Sequence, residues 1–287
     1  GDNEYPIYVR ITDVSGANKE ILLDVNALAK DHAYYQVSGL DVSPNGQFMA
    51  FGEDKVSRRV YSVKFQDLAS KAMLPDVLEG TEGDVVWAND NKTVYYIKKD
   101  LQTLLGYQVY RHTLGTPQSD DQLVYEETDN TYYTGIGKSK DGSVIFINHG
   151  STESSGVSVI DANNPKAMPQ RLVPREKGLE YDASKLGEYY YITTNLDAVN
   201  FRLMKVHQDE LGDKAKWQEV IAHRANVKFE GVQLFNQHMV YQEREKGQTS
   251  IKVRDLSTKQ EHTLSFNDPA FSVYMYGNAE LDSSALR

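Results

Sequence analysis

The sequence predicts an all-β fold, and two observations carry the prediction. The chain has 287 residues with nineteen tyrosines and only eight prolines, and tyrosine suits a pleated sheet that has one wetted face. Hairpin signals also recur, with turns centred near Gly46, Asn91, Gly142, Gly187 and Gln237 that are 45, 51, 45 and 50 residues apart. A strand-rich repeat of this period is typical of the four-stranded blades of a β-propeller.

The first hairpin is the clearest of the five. Its turn, Ser43-Pro44-Asn45-Gly46, separates two apolar runs, and Pro followed by Asn-Gly is strong hairpin chemistry. Weaker copies predict first strands over 85–88, 133–138, 181–184 and 232–235, and second strands over 93–97, 143–147, 189–192 and 238–241.

Two further strand candidates follow each hairpin. Alternating or apolar runs predict them over 60–65 and 71–74, 107–111 and 122–125, 156–161 and 171–173, 201–206 and 217–221, and 250–255 and 262–266. The repeats therefore predict five complete four-stranded blades. Helix is expected only over 25–30 and 207–211.

The two ends of the chain predict partial blades. Tyr5–Thr12 and Glu20–Asp24 resemble the outer half of a blade, whereas 272–276, a turn near 280–282 and the start of one more strand resemble an inner half. The total is six blades if the two ends complete one shared blade, and seven if each half has lost its complement. Because Arg287 falls in mid-strand, we expect a single propeller domain over residues 1–287 that is cut from a longer protein.

The composition excludes several classes of function. The chain has 31 Lys and Arg against 41 Asp and Glu, a net charge of −10, which argues against nucleic acid as a partner because phosphate contacts need clustered cations. There is no cysteine, so disulfides and cysteine-ligated metals are excluded. The sequence has no run of 18 apolar residues, so no membrane span is predicted. We expect a cytoplasmic protein, with the periplasm as the alternative.

No catalytic, cofactor or metal motif is predicted. The chain contains no G-x-S-x-G, and its serine-rich segment 150–156 is interpreted as a polar loop because it lacks a strand–elbow–helix context. The histidines show no H-x-H, no H-E-x-x-H and no paired carboxylate ladder. Two of them could meet in space across blades, but the default expectation is a place at a surface or strand edge for all seven: His32, His112, His149, His207, His223, His238 and His262. Single glycines at turns offer no phosphate-binding loop.

Arg58 and Arg59 are the candidate functional residues. They follow Glu53-Asp54 in the connection after the second strand of the first blade. A solvated pair is the simpler interpretation. The alternative is a contact with another domain, since the planar guanidinium suits pairing with a carboxylate.

Segments 22–27, 42–46, 49–51 and 200–203 resemble the N-terminal propeller of the prolyl oligopeptidase family of serine peptidases. One branch, oligopeptidase B (bacterial protease II), is similar over 57–59, 78–90, 103–112, 115–117, 123–127 and 129–133. The resemblance covers nearly the whole chain. Lys55-Val56 and Tyr34 depart from the pattern of some close relatives, so a contact network there is expected to differ.

The resemblance implies a seven-bladed propeller that caps a C-terminal α/β-hydrolase domain absent from this chain. The parent would be a serine-type endopeptidase that hydrolyses short peptides after Lys or Arg, with its own hydrolase domain and short basic peptides as partners. The propeller would gate access and exclude large folded proteins, and this chain alone would be inactive. The resemblance also favours Arg59 as an interdomain contact.

A free-standing propeller that acts as a protein-interaction scaffold is the alternative. The two functions differ in what they predict for the ends of the chain. A self-contained propeller should close its first and last blades within one chain, whereas this sequence predicts partial blades at both ends.

Overall fold

The computed structural model describes residues 4–11, 13, 15–16, 18–268 and 271–287. The all-β prediction is confirmed. The chain divides into two compact units, Gly1–Ile136 with Asn163–Lys166, and Gly137–Ala162 with Ala167–Arg287. A single domain over residues 1–287 and a count of seven blades stay predictions.

Within each sheet, consecutive strands are neighbours. β1 to β9 are Ile7–Ile11, Lys19–Asp24, Gln36–Val42, Phe48–Asp54, Tyr61–Asp67, Met73–Trp87, Thr93–Lys99, Gly106–Thr113 and Gln122–Glu126. β10 to β21 are Tyr133–Lys138, Val144–Gly150, Ser155–Asp161, Gln170–Arg171, Tyr181–Leu186, Tyr189–Thr194, Arg202–His207, Gln218–Ile221, Val227–Leu234, His238–Glu245, Gln248–Asp255 and Glu261–Thr263. The first predicted strand ended at Thr12, which lies outside the described residues.

These strands form five sheets. β1 and β2 pair with each other, β3 to β9 form a seven-stranded sheet, and β10–β13, β14–β17 and β18–β21 form three four-stranded sheets. The three four-stranded sheets match three of the predicted repeats. The first two predicted repeats are joined in the seven-stranded sheet.

The join is a single long strand, and the prediction of separate strands over 71–74 and 85–88 is wrong. β6 pairs with β5 through its first part, where Leu78 lies opposite Val63, and with β7 through its last part, where Val85 lies opposite Tyr96. Gly80 and Gly83 have φ of 73° and 100° where the partner changes. Because glycine adopts these angles without a Cβ clash, the strand bends there without ending.

Two of the repeated turns share the same pair of hydrogen bonds. In the first, the N–H of Gly46 donates to the Ser43 carbonyl at 2.8 Å, and the Ser43 hydroxyl accepts from the Phe48 N–H at 2.9 Å. The turn 139–142 repeats both bonds, at 2.8 and 3.0 Å. Gly46, Asn91, Gly142 and Gly187 all have positive φ, so four of the five predicted turn centres share the left-handed conformation.

Helical structure is short. The helix α1 covers Val25–Ala29, and the Asp24 carboxylate accepts the Asn26 N–H at 3.0 Å at its N-terminus. The helix predicted over 207–211 is a 3₁₀ turn over Gln208–Glu210, and two further 3₁₀ turns, Gln118–Asp120 and Lys214–Lys216, were not predicted.

Two glycines bring β3 against the bend of β6. Gly39 has a φ of 63°, and a Cβ on it would lie 2.1 Å from the Gly83 carbonyl oxygen. No side chain fits in that space. Nearby, Trp87 packs edge-on against Phe65 with ring centroids 5.9 Å apart, and this aromatic pair lies in the core of the seven-stranded sheet.

The strand predicted over 272–276 is wrong. Two of its N–H groups donate to side chains: the Val273 N–H to the Thr249 hydroxyl at 3.3 Å and the Met275 N–H to the Gln242 amide oxygen at 3.1 Å. The Tyr276 N–H donates to the Arg287 carbonyl at 2.8 Å, and 272–276 is not part of a strand. The turn predicted near 280–282 is present at 281–282. The segment is therefore extended chain that packs on the last sheet rather than joining a new one.

Candidate functional site

Arg58 and Arg59 lie in the tight connection between β4 and β5. The buried Asp54 carboxylate accepts the Val56 N–H at 2.9 Å through Oδ1 and the Arg59 N–H at 2.7 Å through Oδ2. Ser57 and Arg59 have φ of 60° and 51°, a conformation that costs about 1–3 kcal/mol for each non-glycine residue. The two hydrogen bonds from Asp54 hold the loop in this strained shape.

A second anchor ties the loop to the adjacent hairpin. The Lys99 ammonium, at the end of β7, donates to the Arg59 carbonyl at 2.9 Å and lies 3.2 Å from the Glu82 carboxylate. Lys99 is only 9% exposed. The main chain of Arg59 is thus fixed at both its N–H and its carbonyl.

The two arginine side chains, by contrast, are exposed to solvent. Within the described part of the chain, neither guanidinium has a carboxylate within ion-pair distance. A rigid main chain that carries two exposed cations without partners can pair with acidic groups on another surface.

An open groove of about 410 Å³ lies beside these arginines, and Val56, Arg58, Leu101 and Leu104 are among its lining residues. Val56 is 69% exposed and Leu101 63%. Exposed apolar side chains beside arginine are typical of surfaces that contact other proteins.

Glu53 lies under this groove with three partners. Lys64 and Lys55 are 2.6 and 3.1 Å from its carboxylate, and the Tyr35 hydroxyl donates to it. Burial alone would raise the pKa of Glu53, but the hydrogen bonds from Lys64, Tyr35 and Lys55 outweigh burial and lower it. Glu53 is therefore a charged anchor for its neighbours and is not free to pair with Arg58.

His112 was missed as a structural centre, and its expected place at a surface or strand edge is wrong. Its Nδ1 lies 2.7 Å from Asp121 Oδ1 and its Nε2 lies 3.2 Å from Asp76 Oδ1, with all three side chains buried. The Tyr96 hydroxyl donates to Asp121 at 2.8 Å, and the Gly115 N–H donates to Asp76 at 2.6 Å.

The charge state of His112 follows from these partners. Burial by itself would lower the pKa of His112, but the hydrogen bonds and charges of Asp121 and Asp76 outweigh it and raise the pKa above its usual value. Because the carboxylates lie on opposite sides of the ring, the cluster braces β6, β8 and the turn before β9. Asp121 and Asp76 are 9 and 36 residues away from His112 along the chain, so no local sequence motif indicates the cluster.

His149 is also buried, against expectation, with its Nε2 3.3 Å from the Ser158 hydroxyl. His149 is 2% exposed and Ser158 is 1%, so this pair is closed to a substrate. Of the serine-rich segment 150–156, only 151–154 lie between strands. There the Ser154 hydroxyl accepts the Gly178 N–H at 2.9 Å, and at the start of β12 the Ser155 hydroxyl accepts the Tyr181 N–H at 2.6 Å. These hydroxyls stabilise connections between strands.

The described residues contain neither a metal-binding cluster nor a membrane-spanning helix. No three His, Asp or Glu side chains come together there in a way that could hold a metal ion. No helix in that part of the chain is long and apolar enough to cross a membrane.

Comparison with known proteins identifies relatives over the whole chain. Residues 1–287 match the family model described as prolyl oligopeptidase, N-terminal β-propeller domain. The chain is 35% identical to dipeptidyl aminopeptidase BI of Pseudoxanthomonas mexicana and 26% identical to protease 2 of Moraxella lacunata, with 99% of this chain and 41% of each relative covered.

Among solved structures, oligopeptidase B from Leishmania major matches with a TM-score of 0.89 and 26% identity, over 98% of this chain and 41% of that one. Oligopeptidase B from Trypanosoma brucei, in a closed form with covalently bound antipain, matches with a TM-score of 0.86 and 27% identity over 99% and 41% of the two chains. The chain thus spans about two fifths of the length of these relatives.

Proposed function

The chain belongs to the prolyl oligopeptidase family as an N-terminal β-propeller domain, and from this premise we propose that it is the non-catalytic part of a serine peptidase that hydrolyses short peptides after Lys or Arg. One observation carries the proposal: peptidase chains match it over 98–99% of its length, and in each it accounts for 41%. The catalytic serine, acid and histidine would then belong to a C-terminal α/β-hydrolase domain.

Two features support basic peptides as substrates. Segments such as Thr103–His112 resemble the oligopeptidase B branch, and the net charge of −10 attracts cationic peptides by long-range electrostatics.

A second candidate rests on the 35% identity to dipeptidyl aminopeptidase BI. If that relative is the better guide, the parent acts as an aminopeptidase on dipeptidyl units, and the propeller domain serves the same access role.

We assign to the propeller the control of access to the catalytic domain. Folded proteins would be excluded by size, and short peptides would enter as the two domains move apart and close. The loop that carries Arg58 and Arg59 supports an interdomain contact, because its main chain is held by Asp54 and Lys99 while both guanidinium groups stay exposed. Carboxylates on the hydrolase domain are the partners that this loop would fit.

The other parts of the proposal follow from composition. With its acidic balance the protein has peptides, and not nucleic acid, as partners. We place the parent in the cytoplasm, with the periplasm as the alternative, because a chain without cysteine functions in either compartment. A free-standing scaffold propeller remains the alternative function.

One assay separates these functions. The 287-residue chain and the full-length parent are incubated with blocked fluorogenic dipeptides that end in Arg, Lys or Phe, and with an unblocked Arg dipeptide. We expect no turnover by the chain. The parent should cleave the blocked Arg and Lys substrates and lose activity to a serine-directed phosphonate.

The other outcomes are equally informative. Cleavage of only the unblocked dipeptide by the parent would favour the aminopeptidase. Turnover by the 287-residue chain itself would refute a non-catalytic role, and a parent without any peptidase activity would favour the scaffold.

A further inference from the structure

Lys138, Lys140 and Lys185 line one groove of about 410 Å³ in the second compact unit. Lys138 and Lys140 lie at the end of β10 and in its turn, and Lys185 lies near the end of β14. The groove therefore gathers lysines although the chain as a whole carries a net charge of −10.

Lys140 is held at the groove by neutral partners. Its ammonium donates to the Leu234 carbonyl at 2.9 Å and lies 3.7 Å from the centre of the Phe235 ring. Leu234 itself lines the groove. The carbonyl uses one of the three ammonium protons, so Lys140 keeps donors for a ligand.

Lys185 adds positive charge from a more deeply buried position. It is 5% exposed, and its ammonium donates to the Gly187 carbonyl and, at 3.0 Å, to the Gln208 side chain. Its ammonium also lies 5.2 Å from the centre of the Tyr190 ring.

Neither ammonium has a carboxylate within ion-pair distance among the described residues. The carboxylates that act on them lie farther away: Asp141 and Glu188 for Lys185, and Glu280 for Lys140. Burial outweighs these carboxylates and lowers the pKa of both lysines. A buried cation without a counter-charge is costly, and a bound anion removes that cost.

The groove also offers neutral polar groups. Ser139, Asn148, Ser184 and Asn278 line it, and hydroxyl and amide groups donate hydrogen bonds to oxyanions. Among the described residues that line the groove, none is an Asp or Glu.

We propose that this groove binds a small oxyanion, with Lys140 as the direct ligand and Lys185 supplying positive charge from beside it. Two sources share this chemistry, namely inorganic phosphate and the terminal carboxylate of a peptide. The site is independent of the proposed peptidase activity, because it needs no residue outside this chain.

The test uses the 287-residue chain at constant ionic strength, because added salt screens such binding. Thermal unfolding midpoints are measured with inorganic phosphate, with acetyl-dialanine as the free acid, with the corresponding amide, and with chloride as the reference. We expect a saturable rise with phosphate or with the acid and none with the amide. Response to phosphate alone or to the acid alone identifies the source.

Lys140→Gln should weaken the binding about tenfold, the size expected for one lost hydrogen bond from a charged donor. The matched control is Lys216→Gln, which makes the same charge change on an exposed 3₁₀ turn of the same unit and should leave the response unaltered. An equal response in the wild type and Lys140→Gln, or no response to phosphate and acid, would overturn the proposal.

A measurement on the wild type alone covers the case in which Lys140→Gln folds poorly. Lysines are acylated with a low dose of reagent, and the modification of Lys140 and Lys216 is followed by mass spectrometry. The binding anion should slow acylation of Lys140 several-fold relative to Lys216. Unchanged relative rates would refute the site.

Discussion

His112 Nδ1 lies 2.7 Å from Oδ1 of Asp121, and both side chains are 1% exposed. The pair is completed by Asp76 on the other side of the ring. The stability of this three-residue cluster depends on the charge of the imidazole, because a neutral ring can donate a hydrogen bond to only one of the two carboxylates.

We therefore expect the protein to lose stability as pH rises above neutrality. The pKa of folded His112 is raised above that of the unfolded chain, so its contribution is fully present below the unfolded value of about 6.5 and is lost as pH rises through the folded pKa. Urea unfolding from pH 6 to 9 measures this loss.

His112→Gln should cost about 3–5 kcal/mol at pH 6, because it leaves buried carboxylates without a cation. The gap to the wild type should narrow toward pH 9. His262→Gln, at an exposed position in β21, is the control and should keep the wild-type profile. A constant gap across this range would show that His112 does not titrate in the folded protein.

The contact between Gly39 and Gly83 predicts two very different alanine variants. Gly39→Ala combines a left-handed φ with a Cβ 2.1 Å from the Gly83 oxygen, and should lower the free energy of unfolding by about 3 kcal/mol or more. Gly46→Ala has a similar φ of 72° but open space around the new Cβ, so it should cost only about 1–2 kcal/mol. Equal losses in urea unfolding would show that the close approach of β3 to β6 is absent.

Asp54→Ala should loosen the loop that carries Arg58 and Arg59. It removes the acceptor of two N–H groups at a position that is 1% exposed, and should cost about 1–3 kcal/mol. Limited digestion with trypsin gives a local readout, since the wild-type loop should resist cleavage after either arginine and the variant should be cut there.

Asp67→Ala is the matched control for that loop, because Asp67 also accepts two N–H groups, from Ala69 and Ser70, but in an exposed turn. Water can replace those bonds, so a smaller loss and no new cleavage at 58–59 are expected. If the two variants lose similar free energies of unfolding and give similar digestion patterns, Asp54 does not hold the loop that carries Arg58 and Arg59.

Arg59→Ala tests the proposed interdomain contact. In the 287-residue chain it should change the free energy of unfolding by no more than about 0.5 kcal/mol, because the exposed guanidinium has no ion-pair partner among the described residues. In the full-length parent it should raise the rate of cleavage of a large unfolded protein relative to a dipeptide. A large loss of stability in the isolated chain would contradict this assignment.

The sequence predicted the features that are local. The turn at Ser43–Gly46 could be predicted because Pro and Asn-Gly set its backbone angles. Asn91, Gly142 and Gly187 have the same left-handed conformation as Gly46. The fifth centre, Gln237, is not among the positive-φ residues; there the Phe235 N–H closes a tighter turn on the His238 carbonyl at 2.8 Å.

The features that escaped prediction depend on residues far apart in sequence. β6 continues through 75–84 because Gly80 and Gly83 allow the strand to bend. In the sequence alone, the same glycines suggest that one strand ends and another begins. The partners of His112 come from β6 and from the residue between a 3₁₀ turn and β9, and hydrophobic periodicity does not report a buried charge. For Arg58 and Arg59 the sequence predicted exposure, but the anchors at Asp54 and Lys99 required the structure.

The shared strand β6 has a consequence for how the first compact unit comes apart. Its N–H and carbonyl groups belong to two ladders, one with β5 and one with β7, so neither half can open without exposing the other. Amide hydrogens on β4, β5, β7 and β8 should therefore exchange with solvent deuterium as one cooperative group, with one opening free energy. The first two of the five predicted repeats would then unfold together as one unit, rather than as two separate blades.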